Sequence, residues 1–220
     1  MTELVGDDDL ADSPVVANST MNRARTLAGV NSYTRELGFD PVARLGGRPG
    51  AWLDLCSGEG RALVAASASV AEGAELTGVD LVGPLGPVPS ARGVRLVAAS
   101  VTEWRPERSY DLVTCVHGLP YLGDKLGLLA RWAGWLTADG LLAATFDPAS
   151  VRRPDGGSAA RAVLAVLREA GFGYSARRRL LTLEGGRELP PAFAGFRYLG
   201  ADPAAGPNWT GQPAVASFYA

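Results

Sequence analysis

From Ala51 onward the chain alternates short, nearly unbroken apolar runs with stretches whose apolar residues recur every three or four positions. The runs at 51–56, 75–80, 94–99, 110–116 and 141–146 predict strands, and the periodic stretches at 61–71, 124–136 and 159–170 predict helices. Strands this apolar leave no face for water, which suits a parallel sheet covered by helices on both sides. One crossover breaks the rhythm. LVGPLGPVPSARG, between the second and third runs, carries Pro84, Pro87 and Pro89 and predicts a loop, because proline removes an amide donor and clashes inside a helix.

The two ends read differently. After Gly171, FGYSARRRLLTLEGGREL predicts a strand, a turn at Gly185-Gly186 and a return, and the closing AVASFYA alternates well enough for a further strand. An antiparallel hairpin finishing an otherwise parallel sheet follows. Residues 1–17, with Asp7, Asp8, Asp9 and Asp12 and little to bury, predict a flexible tail. Residues 18–37 predict a helix through Met21, Leu27, Val30, Tyr33 and Leu37, capped by Ser19 or Thr20 and ended by Gly38. No internal repeat or linker divides 18–220, which reads as a single domain.

Composition removes several function classes. With 220 residues, 47% of them hydrophobic, the chain can bury one sizeable core, and a net charge of -2 offers no basic field for nucleic acid. No apolar run approaches the roughly 18 residues of a membrane span, and the acidic MTELVGDDDL is unlike a signal peptide. Cys56 and Cys115 fall short of a disulfide framework. A cytoplasmic protein with neither nucleic-acid nor membrane partner is expected, and no metal is expected.

Candidate chemistry concentrates in AWLDLCSGEGRAL, 51–63. A dinucleotide fingerprint places a third small residue where Leu63 stands, and a phosphate-binding P-loop requires Gly-Lys-Ser or Gly-Lys-Thr where the chain has Gly60-Arg61-Ala62. What remains is an acid at a strand end followed by small residues: Asp54-Leu55-Cys56-Ser57-Gly58-Glu59-Gly60.

That segment resembles the first motif of class I S-adenosylmethionine-dependent methyltransferases, acid-any-Gly-any-Gly-any-Gly, with Cys56 in place of the first glycine. The resemblance runs from about Gly50 to Phe146, and it implies an α/β, Rossmann-like, mostly parallel seven-stranded sheet with an antiparallel C-terminal hairpin and helices on both faces. It implies S-adenosyl-L-methionine as cofactor, held by Asp54, Cys56, Ser57, Gly58 and Gly60. Asp80 would accept hydrogen bonds from the ribose hydroxyls, with Leu81 beside it. Ser100 and Val101 would hold the adenine, where many relatives have an acid, and backbone groups at Cys115 and Val116 would receive the ammonium group. His117, the single histidine, stands where a general base is useful, and Tyr33 on an N-terminal lid helix with Arg23, Arg25 and Asn31 is the second catalytic candidate.

Each of these residues also has a plainer reading. Asp54 and Asp80 can cap helices or satisfy loop amides, His117 can order its loop, and the N-terminal helix can simply dock on the sheet. GPNWTGQP, 206–213, either lines an acceptor pocket or turns the chain at the opposite end, and Arg177 to Arg179 read as a solvated strand edge. The function implied is methyl transfer to a small-molecule acceptor by direct displacement at the sulfonium methyl. A non-methylating, cyclase-like use of the same cofactor and a degenerate binding or scaffold fold are the alternatives.

Overall fold

All five residues of β1 (Ala51–Leu55) are buried, because this strand lies inside the main sheet with β2 (Glu75–Asp80) on one side and β4 (Tyr110–Cys115) on the other, both parallel to it. A strand with no solvent face reads as a continuous apolar run, which is why AWLDL shows no alternation. The computed structural model describes residues 3–16, 23–85, 90–190 and 195–220. In it seven strands run in the order β3 (Val94–Ala98), β2, β1, β4, β5 (Leu136–Thr145), β8 (Leu180–Glu184) and β7 (Gly173–Ser175), with β8 antiparallel to both of its neighbours. The chain moves outward from β1 to β3 and then returns to lay β4 on the other side of β1. That reversal opens a crevice at the carboxyl ends of β1 and β4.

Side chains alternate across the sheet and divide the core in two. Leu53, Leu55 and Val113 pack with Leu128, Leu129 and Trp132 of α5 (Lys125–Ala133) and with Val163 and Leu167 of α6 (Ala160–Glu169). Trp52, Leu76 and Leu112 face the other way, toward Leu37 of α2 (Tyr33–Leu37) and Leu63 of α4 (Arg61–Ala66). Asp124 caps α5 by accepting from the Gly127 amide at 3.0 Å, a contact worth about 1 kcal/mol. A four-residue α3 (Pro41–Arg44) forms where the apolar pattern predicts no helix, and α4 is shorter than the 61–71 pattern suggests. The proline-rich crossover forms no helix among its described residues. No helix among the described residues is long and apolar enough to cross a membrane.

The two ends differ from the sequence expectation. The hairpin turns at 176–179, with Arg179 in the left-handed region at φ 50°, while the Gly185 and Gly186 amides donate to Gly140 and Thr137 carbonyls of β5 instead of reversing the chain. The strand expected from 141 begins at Leu136 and takes in residues 136–140 through a shift in its pairing with β4. The closing strand, β10 (Ala216–Tyr219), lies outside the main sheet. It pairs with β6 (Val151–Arg152) and β9 (Tyr198–Asp202) in a second, three-stranded sheet.

Residues 3–16, expected as a tail, carry α1 (Asp7–Ala11), with Leu10 buried against Ala201 and Val215 and Val5 bridged to Ala201. The apolar side chains of a short acidic helix suffice to dock it once a second sheet offers a surface. The helix expected over 18–37 is reduced to α2; residues 23–32 are non-helical, and the Ser19 and Thr20 caps lie outside the described residues. Ser32 caps α2 instead, accepting from Arg35 N at 3.3 Å, and Gly38 ends it as expected in the left-handed region.

The second sheet is fastened to α5 through the single lysine. Lys125 Nζ is buried and donates to Leu122 O (2.8 Å), Val215 O (3.0 Å) and Ser217 Oγ (2.6 Å). Burial pushes its pKa from 10.5 down to about 7. The unfolded chain then binds more protons between those two values, so this group makes stability rise with pH from about 7 toward 10.5. In Lys125→Met the rise is expected to disappear. Denaturant midpoints measured between about pH 7 and 9 check this, and an equal climb in both proteins would place the titration elsewhere.

Candidate functional site

Parallel strands deliver their carboxyl ends to one edge, and there a cavity of about 300 Å³ opens. The loop after β1 contributes Cys56, Ser57 and Gly58, and the end of β2 contributes Asp80 and Leu81. Ser100 and Val101 enter after β3, Val116 and His117 after β4, and Tyr33 from α2. Ten of the thirteen residues singled out in the sequence therefore face one cavity; Asp54, Gly60 and Cys115 do not line it.

Asp80 organises the floor. Its Oδ2 accepts the Gly58 amide at 2.9 Å, and Oδ1 accepts the Val82 amide at 3.2 Å and the Arg23 guanidinium at 2.8 Å. Arg23 also donates to Gly83 O, and its own carbonyl accepts the Glu59 amide at 3.0 Å. The strap around Arg23 thus lies directly on the glycine loop. Gly58 is required there: its φ is 60°, and a Cβ would stand 2.5 Å from Arg23 O.

Cys56 holds the place of the motif's first glycine and keeps a glycine-like backbone, at φ 58°. A residue with a side chain pays on the order of 1–3 kcal/mol for that conformation. Its thiol lies against that of Cys115, since a Cβ on Gly118 would stand 2.6 Å from Cys115 Sγ and 2.7 Å from Cys56 Sγ. The hydrogen bond with Cys115, together with burial, pushes the Cys56 thiol well above its usual range, so it stays protonated. Cys115 itself is wholly buried beneath the cavity.

Asp54 is also behind the wall. Tyr33 Oη donates to its Oδ2 at 2.6 Å and Thr114 Oγ1 donates to Oδ1 at 2.6 Å, while Trp52 Nε1 donates to Thr114 Oγ1 at 2.8 Å. Burial raises the Asp54 carboxyl to about 7 against the opposing effect of these two hydrogen bonds. Burial and the neighbouring Asp54 raise the Tyr33 phenol well above its usual value. Tyr33 therefore remains a donor committed to Asp54; what it adds to the cavity is a fixed wall, not a free hydroxyl.

His117 stands at the mouth, with φ 61° and its amide donating to Thr145 Oγ1 at 2.6 Å. Its Nε2 lies 3.1 Å from Glu36 Oε2, and its ring stacks on Trp209 with centroids 5.6 Å apart. His117, then Arg25 at 3.3 Å, hold the Glu36 carboxyl below the usual carboxylate range. An imidazole paired to a carboxylate and open to a cavity is equipped to take a proton.

The segment 206–213 lies on the cavity side, where it supplies Thr210 and Gln212. Asp7, Leu10 and Tyr121 also line the cavity, and nothing in the local sequence marks them. Their positions depend on the docking of α1 and on a short helical turn, 119–121, after β4. Arg23 and Arg25 do face the cavity, although from an extended strap and not from a helix.

An open, doubly wound sheet with a glycine loop and an acid at successive strand ends defines a ligand-binding α/β protein. A family model described as a methyltransferase domain matches residues 30–186, more than two-thirds of the chain, and the chain belongs to that family. Its sheet is the one the class I resemblance implies. Among curated protein sequences nothing matches.

Several solved structures are similar. They include coclaurine N-methyltransferase bound to N-methylheliamine and S-adenosylhomocysteine (19% identity, 46% of this chain and 32% of that one, TM-score 0.38). An amino pentose methyltransferase from Micromonospora echinaspora with S-adenosylmethionine bound matches at 21% identity over 48% of this chain and 46% of its own (TM-score 0.37). A phosphoethanolamine N-methyltransferase of Haemonchus contortus matches at 18% identity over 64% of this chain and 35% of its own (TM-score 0.43). The chain thus spans about a third to a half of the length of these structures.

The buried Asp54 generates a test. With its folded pKa raised from 3.8 to about 7, the stability it contributes is fully present below 3.8 and is lost as pH rises through about 7. Asp54→Asn stays uncharged, so its stability relative to the wild type is expected to improve steadily from about pH 4 to 7. A difference between the two midpoints that is flat across this range would mean that the carboxylate is ionised throughout in the fold.

Proposed function

We propose that this chain transfers a methyl group from S-adenosylmethionine to a small-molecule acceptor. The observation that carries the reading is Asp80: a carboxylate at the end of β2, tied to the Gly58 amide and facing the cavity. A carboxylate offers about four acceptor positions. The Gly58 and Val82 amides use two, and the remaining two suit the two hydroxyls of a ribose, provided Arg23 yields the one it takes. The cavity volume lies at the lower end of the usual range for small-molecule sites, roughly 300–1,000 Å³.

S-adenosylmethionine supplies an already activated methyl group on its sulfonium. The work left to the protein is alignment, which can contribute roughly 7–11 kcal/mol, while general-base help adds about 10²–10⁴ in rate. In this reading Asp80 grips the ribose and the Gly58 loop fixes its depth. Ser100 and Val101 border the adenine, with the Ser100 hydroxyl already oriented by Thr102 Oγ1 at 2.6 Å. Val116 borders the amino-acid end, and Tyr33 closes the wall. Asp54, Gly60 and Cys115 act from behind: they hold Tyr33, the start of α4 and the Cys56 thiol in place. His117 takes the acceptor's proton, and Glu36 steadies the imidazolium that results.

Calorimetry with S-adenosylhomocysteine tests the donor site. Asp80→Ala is expected to weaken binding at least about tenfold, since charge-assisted hydrogen bonds are worth roughly 1.5–3 kcal/mol each. A folded Asp80→Ala protein that binds as tightly as the wild type would remove this residue from the site and the proposal with it. Arg23→Ala is expected to tighten binding severalfold, because it releases a competing ion pair worth about 1 kcal/mol. Weaker binding in Arg23→Ala would instead make the arginine a clamp that stays on the ligand.

A further inference from the structure

Arg177, Arg178 and Arg179 read in the sequence as a solvated edge, yet in the fold they line one open cleft of about 390 Å³ together with Arg35, Glu36 and Trp209. The reversal between β7 and β8 and the left-handed backbone of Arg179 bring these side chains to the same place as the face of α2. Arg179 is paired with Asp147 at 3.0 Å, and Glu36 is engaged by His117 and Arg25. Arg178 donates only to the Arg35 carbonyl, at 3.2 Å. Among the described residues, no carboxylate lies within ion-pairing distance of Arg35, Arg177 or Arg178.

A protein of net charge -2 thus gathers around one concavity three guanidiniums with no ion pair of their own, beside a single Glu36 carboxylate that His117 and Arg25 already hold and that Arg35 also influences, against the arginines' mutual repulsion. The cleft also adjoins the larger cavity across one side chain. His117, which lines that cavity, touches two residues of the cleft: Glu36 at 3.1 Å and Trp209 at a ring separation of 5.6 Å. A group seated among the arginines lies one side chain away from the imidazole. Planar guanidinium forks match the oxygens of a carboxylate or a phosphate.

We infer that this cleft is the acceptor's anchoring subsite and that the acceptor carries an oxyanion, with the methylated atom reaching past Trp209 to His117. The inference rests on the methyl-transfer reading for its purpose, but the binding it asserts is measurable by itself.

Phenyl phosphate, benzoate and benzylammonium are titrated calorimetrically into the wild type, with and without S-adenosylhomocysteine. The same titrations are run on Arg177→Gln/Arg178→Gln and on a control, Arg161→Gln/Arg168→Gln, which removes equal charge from the exposed side of α6. The anions are expected to bind wild type and control alike and to lose at least about tenfold in the cleft variant, with S-adenosylhomocysteine affinity unchanged. Tighter phenyl phosphate assigns a phosphate, and tighter benzoate a carboxylate. In the wild type, rising sodium chloride is expected to weaken the anions, a measurement that needs no variant. The inference is overturned if benzylammonium binds as well as the anions, if both variants lose equally, or if neither anion binds. A wild type that binds anions in the cleft but not S-adenosylhomocysteine would sustain the subsite and defeat the donor reading.

Discussion

Asp80 closes β2 and accepts the amide of Gly58 on one carboxylate oxygen and the amide of Val82 on the other, so that the strand end and the glycine loop move as one piece. Hydrogen bonds from backbone amides to an ionised acceptor are roughly twice as strong as neutral ones, and this pair spans two neighbouring strands. Everything at the working edge is referred to that joint. The cavity floor, the turn into α4 and the path of the Arg23 strap all take their positions from it.

The strap adds a second layer of control. Arg23 uses its side chain on Asp80 and its carbonyl on Glu59, so one residue covers both the acid and the loop. A ligand that needs Asp80 must compete with a contact internal to the protein, which lowers apparent affinity and couples ligand entry to movement of the strap. Cys56 belongs to the same balance. It adopts the left-handed backbone that glycine takes without strain, and the thiol packed on Cys115 is what it gains in exchange.

Two buried ionisable groups secure the edge from opposite sides. Asp54 holds Tyr33, and with it α2, through short hydrogen bonds inside an apolar wall. Lys125 holds the three-stranded sheet against α5 by satisfying two carbonyls and a hydroxyl. Each is costly to bury and is tolerated because its polar partners arrive together. Both therefore act as registration pins: a sheet or helix docked one residue out would leave a buried polar atom without a partner.

Much of this architecture was legible residue by residue. Unbroken apolar runs marked the central strands, Gly38 marked a helix end, and the loop from Asp54 to Gly60 together with Asp80 marked the sheet edge where the cavity opens. These features are local, since burial on both faces, capping and left-handed turns are written in a few adjacent residues. The sequence by itself determined the parallel core and the loop chemistry for that reason. Only the tertiary structure decided that the acidic start docks as α1, that AVASFYA joins a second sheet, that Asp54 serves from behind the cavity, and that Arg23 reaches Asp80. It also decided that three consecutive arginines share a cleft with α2. Those contacts join residues far apart along the chain, and their partners are chosen by packing and charge, which no local pattern encodes.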